Sequence, residues 1–220
     1  MKRFSLKYTL LTYRLDQLWF PLAFLAFFII LTLLLRNEVQ NYDIARAYVG
    51  FAVPLVGGFM AAYAILDDPA LELRFATPIR AAQILLERTA LIFLIQAVCA
   101  NAFLLFSLII GVDFSPLGNW VNLQLCWLLP TITLIALGTF GALIGAQTMV
   151  GSFLVGLVWF VELIVRDAMA VNNWKYAYIF MSILSPEHPD LASNQIALFA
   201  LTIAFLFVAW ALLRKQERYI

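Results

Sequence analysis

Charged positions divide this chain into long silent runs separated by short charged clusters. No Asp, Glu, Lys or Arg occurs in 17–35, 47–66, 89–112, 114–161 or 191–213. A helix needs roughly 20 predominantly apolar residues to cross a bilayer, so each run is long enough to span. The fourth run is too long for one span. Gly138, Gly141, Gly145 and Gly151, with Gln147 and Thr148 between them, mark the place where it folds into two. The pattern therefore predicts an all-α integral membrane protein of six transmembrane helices, over about 18–35, 47–66, 88–111, 120–143, 148–165 and 193–213. All 220 residues form one transmembrane domain, since no repeat or linker divides the chain.

Positive residues give the bundle a direction. With six spans both termini share one side, and ten of the Lys and Arg residues lie there, from Lys2 and Arg3 through Arg74, Arg80 and Arg88 to Arg218. Only Arg36, Arg46, Arg166 and Lys175 lie on the other side. The positive-inside rule makes both termini cytoplasmic, and a bacterial cytoplasmic membrane is the expected location of this multi-pass protein. Trp19 and Trp210 then fall near the inner interface, with Trp120 and Trp174 near the outer one.

Three segments lie outside the spans. Phe4, Tyr8, Leu11, Leu15 and Leu18 recur at helical spacing while Lys2, Arg3, Lys7 and Arg14 fall off that stripe, which predicts an interfacial amphipathic helix over about 2–17. A plain topogenic flank is the simpler alternative. Between the second and third spans, Asp68-Pro69 and Thr77-Pro78 are each a cap followed by a first-turn proline. They predict a short helix over about 69–77, a break, and a new helix that runs through Glu87 and Arg88 into the third span. Leu71, Leu73 and Phe75 alternate with charges there and need cover, from a cytosolic partner or from the bundle itself. Beyond the fifth span, 166–192 holds an apolar stretch at 177–184 that is too short to cross, so it is expected to enter the outer leaflet and return.

Composition removes several functions. Hydrophobic residues make up 64% and charged residues 12%, with a net charge of +1 and a mean hydropathy of +0.93. Such a chain suits neither a soluble enzyme nor a nucleic-acid binder. His188 is the single histidine, beside a proline in a turn, and Cys99 and Cys126 form no spaced pair, so no metal site is expected. A phosphate-cradling loop needs a Gly-Lys pair, which is absent, so the chain binds no ATP and no other cofactor of its own. Glu162 interrupts the fifth span one turn before Arg166. It reads either as an ion pair at the membrane boundary or as a polar group on a substrate path. Gly138, Gly141 and Gly145 suit close helix packing or a seam between two subunits.

The loop between the second and third spans carries a resemblance. Its sequence, Leu71-Glu72-Leu73-Arg74-Phe75-Ala76-Thr77-Pro78-Ile79-Arg80 and onward to Glu87-Arg88, resembles the stretch after the second span in membrane (permease) subunits of type-2 ABC exporters. The resemblance implies a coupling helix, with Leu71, Glu72, Leu73, Arg74, Phe75, Thr77, Pro78 and Arg80 docking onto a separate ABC ATP-binding subunit. That subunit would bind ATP and Mg, and a second permease chain, identical or related, would complete the transporter. The apolar spans favour a hydrophobic or amphipathic cargo. An ATP-independent carrier or channel is the competing expectation.

Overall fold

A computed structural model describes residues 16–35, 38–67, 81–171 and 173–214, and their regular structure is entirely helical. Helix α1 is Asp16–Leu35. Helix α2, Glu38–Ala47, passes through a π-helical turn, Tyr48–Ala52, into α3, Val53–Tyr63. Helix α4 is Ala81–Ile109, α5 is Trp120–Gly145 and α6 is Thr148–Ile164. Short elements follow: α7, Arg166–Val171, a 3-10 turn, Asn173–Ala177, and α8, Met181–Leu184. Helix α9, Leu191–Leu213, ends the described chain.

Five helical segments are long and apolar enough to cross a membrane: 18–35, 40–63, 83–109, 120–145 and 191–213. Such a chain is compatible with a multi-pass membrane protein. The sixth apolar helix, Thr148–Ile164, is shorter. The expected interfacial helix at 2–17 lies almost wholly, and the expected coupling helix at 69–77 wholly, outside the described residues.

Local chemistry explains where the helices start and stop. Asn119 caps α5, its Oδ1 accepting the Asn122 amide at 2.9 Å. Helix α5 ends in a Schellman closure, with the Gln147 amide donating to the Ala142 carbonyl at 3.1 Å and the Ala146 amide to Leu143 at 3.4 Å. That closure places Ala146 in the left-handed region, at φ 51°. The long uncharged run thus turns at 146–147 and sends α6 back along α5.

The second span begins earlier than its apolar run suggests. Its helix starts at Glu38, and the polar first turns are held by Arg46, which pairs with Asp43 at 3.8 Å and lies 5.9 Å from the Tyr42 ring centre. The π turn forms just before Pro54, whose ring nitrogen cannot donate to the Gly50 carbonyl. Across the turn the Val53 amide reaches the Tyr48 carbonyl, and the Trp159 indole donates to the Phe51 carbonyl at 3.1 Å.

The core lies where α3, α5 and α6 meet. Gly138 is the point of closest approach: a Cβ there would strike the Gly58 carbonyl oxygen, so only glycine lets the two backbones touch. Gly141 and Gly145 face Gly151 with Leu154, and Val150, respectively, all on α6. The three glycines therefore serve packing inside one chain at the places where a subunit seam was the other expectation. Threonines supply polar contacts without exposing donors. Thr131, Thr133 and Thr139 each donate to a carbonyl four residues earlier, and the Thr133 and Thr202 hydroxyls meet at 3.0 Å between α5 and α9.

Candidate functional site

Glu162 sits in the last turn of α6 with 3% of its surface exposed. A carboxylate in such surroundings must find donors or lose its charge. Sequence spacing offered Arg166, but no ion pair joins the two. Arg166 instead lies 3.5 Å from Asp167 through its Nε. The Glu162 carboxylate turns to backbone, accepting the Ile179 amide at 2.8 Å, with the Phe180 amide beside it. Those amides precede the single-turn helix α8 and would otherwise be unpaired donors in an apolar core. The ion-pair expectation fails because two preorganised amides inside the protein compete better for the carboxylate than an exposed guanidinium at the surface.

Among the described residues outside the long helices, the segment held by Glu162 is the most buried. Tyr178, Ile179, Phe180, Met181 and Ile183 are each at most 3% exposed. Ile183 packs into the π turn against Gly50, where a Cβ would lie only 2.6 Å from its Cγ1. The Ser182 carbonyl accepts the Cys126 thiol at 3.1 Å. On the far side Asn194 of α9 donates to the Lys175 and Tyr178 carbonyls at 2.6 and 2.9 Å. Lys175 in turn pairs with Asp190 at 2.6 Å. That hydrogen bond draws the Asp190 carboxyl below and the Lys175 ammonium above their ordinary pKa ranges. His188 accepts the Asp190 amide on Nδ1 at 3.1 Å, the role of a turn residue.

Two cavities flank this segment. One is an apolar groove of about 340 Å³ between α5, α6 and α9, with Leu137, Val158, Trp174 and Phe205 in its walls; Glu162 and Thr133 line it without turning polar surface into it. Its shape and lining suit an alkyl or aromatic group. The other, about 330 Å³, is lined by Arg46, Arg166, Asp167, Tyr178, Leu184 and Ser185. Sequence reasoning missed this second cavity, because its residues are far apart in the chain and converge only through the folded 178–185 segment. No group of three or more His, Cys, Asp and Glu side chains positioned for a metal exists among the described residues.

Leu71, Glu72, Leu73, Arg74, Phe75, Thr77, Pro78 and Arg80 lie outside the described residues. The helix that follows them, α4, runs unbroken for 29 residues, with Arg88 buried near its start. No family model, curated protein or solved structure matches this chain.

Proposed function

We propose that this chain is the transmembrane permease subunit of an ATP-driven exporter of the type-2 ABC class, moving a hydrophobic or amphipathic substrate across the cytoplasmic membrane. ATP is hydrolysed by a separate nucleotide-binding subunit seated on the loop between α3 and α4. The reading is carried by one observation: the capped, mixed-charge sequence from Asp68 to Arg88, with Leu71, Leu73 and Phe75 set among charges between two apolar helices. The helices on either side are suited to transmit a push. Helix α3 touches α5 backbone to backbone at Gly58 and Gly138, and α4 runs without interruption from Ala81. Counting Thr148–Ile164 as a crossing, at the short end of the range for a span, gives six crossings with both termini cytoplasmic.

An ATP-independent carrier would use a buried ionisable group that exchanges partners. Glu162, the buried carboxylate of α6, already holds the Ile179 amide through Oε2, which favours the exporter. The test is co-purification. Leu73→Asp and Phe75→Gly should abolish capture of an ATP-binding subunit and substrate-stimulated ATP turnover while membrane insertion persists. Unchanged complex formation in both variants would overturn the docking assignment.

A further inference from the structure

The cavity between α2, α7 and the 178–185 segment brings two guanidinium groups from distant parts of the chain to one concave surface. Neither is fully committed. Arg46 has Asp43 at 3.8 Å and Tyr42 beneath it, and Arg166 has Asp167 at 3.5 Å through Nε. In both pairs the acid is the more exposed partner, 61% against 34% and 95% against 59%. The carboxylates thus face water while the arginines line the cavity, although Asp167 also reaches its rim. Tyr178 adds a phenol to the same wall. Its side chain lines the cavity and only 1% of the residue is exposed. Its hydroxyl lies close enough to Glu162, Arg166 and Asp167 to feel all three charges. Ser185 contributes a second hydroxyl-bearing side chain to the wall.

Two cations held across a partly desolvated pocket repel each other, and a bound anion removes that repulsion while accepting their N–H groups. The Tyr178 phenol in the wall supplies a neutral donor that such an anion also accepts. We propose that this cavity binds one phosphate-type oxyanion, held by Arg46 and Arg166 and hydrogen-bonded by Tyr178, with Asp167 at the rim limiting its affinity. The assignment does not depend on the ATP-driven reading. The same chemistry is presented by a phospholipid headgroup and by free phosphate.

The full chain, purified in a neutral maltoside detergent, would be titrated calorimetrically with dihexanoyl phosphatidic acid and, separately, with inorganic phosphate. At least one probe is expected to bind. Arg46→Gln combined with Arg166→Gln should raise its Kd about tenfold or more, and Tyr178→Phe by a few-fold. Asp167→Asn should lower Kd about two- to fivefold, a gain that misfolding cannot produce. Binding of both probes supports an oxyanion site open to free phosphate, and binding of phosphatidic acid alone supports a site for lipid headgroups. Absence of binding by both probes, or a Kd unmoved by both the arginine pair and Asp167→Asn, would overturn the proposal.

Discussion

The second and fourth long apolar segments, 40–63 and 120–145, have 72% of their most apolar windows buried, whereas the first, 18–35, has 11% and the last, 191–213, has 22%. All four are apolar enough to cross a bilayer, so hydropathy alone does not separate them. Glycine does. The buried pair meets at Gly58 and Gly138, while α1 presents Phe27, Ile30, Leu33 and Leu34 outward. Against lipid tails such side chains lose nothing by exposure, and helix association must come from close packing and internal hydrogen bonds. The comparison separates a cohesive centre that owes its stability to shape from flanking helices whose apolar side chains are satisfied by their solvent.

The strongest challenge to that contrast is a methyl group at the centre. Gly138→Ala should destabilise the fold by about 3 kcal/mol, because its Cβ meets a backbone oxygen and neither helix can move aside cheaply. Leu34→Ala on α1, which removes three carbons from a side chain 74% exposed, should change stability by no more than a few tenths of a kcal/mol. Titration of both variants with SDS in bicelles would measure the pair, and similar losses would break the distinction.

Next in size is the carboxylate beneath the 178–185 segment. Glu162→Ala leaves the buried Ile179 amide without its acceptor and should cost about 2 kcal/mol, whereas Glu162→Gln, which keeps one acceptor oxygen, should cost less. Protease sensitivity of the 173–190 region would show whether the loss is local. The hairpin turn should respond in the opposite direction. Ala146→Gly relieves a left-handed alanine and should raise stability by about 0.5–1 kcal/mol, visible as a later SDS midpoint.

The smallest expected effect is confined to extreme pH. Asp190 has a lowered pKa, so its stabilising contribution is present above its ordinary value and lost as pH falls through the folded-state value. Lys175 has a raised pKa, so its share is complete below its ordinary value and lost only as pH rises through the folded-state one. Trp174 fluorescence should therefore be flat across neutral pH and change at the acid and alkaline ends; a transition near pH 7 would contradict this ion pair as the local clamp.

Much of the helical layout is legible in the sequence because exclusion of charge is a strong, local signal. The turn at 146–147 is legible too, from the glycine cluster and from Gln147 and Thr148. The start of the second helical segment is not, since Asp43 and Arg46 interrupt the apolar pattern but stabilise each other one turn apart. The π turn is also hidden: Pro54 announces an irregularity, while its position depends on Trp159 and Ile183, which arrive from other parts of the chain. At Glu162 the one-turn spacing to Arg166 pointed to a partner, but the amides that claim the carboxylate come from residues 179 and 180. The cavity of Arg46, Arg166 and Tyr178 is a purely tertiary feature, with no pattern in the sequence to reveal it.

The π turn at Tyr48–Ala52 also fixes azimuth. One residue inserted into an α-helical path rotates everything beyond it by about 100° around the axis. Tyr42, Asp43 and Arg46 are thereby aimed in a direction that an uninterrupted α-helix continuing from Val53 would not give them. Excising a single residue from that turn would swing the guanidinium of Arg46 away from the one on Arg166 without altering the composition of either wall.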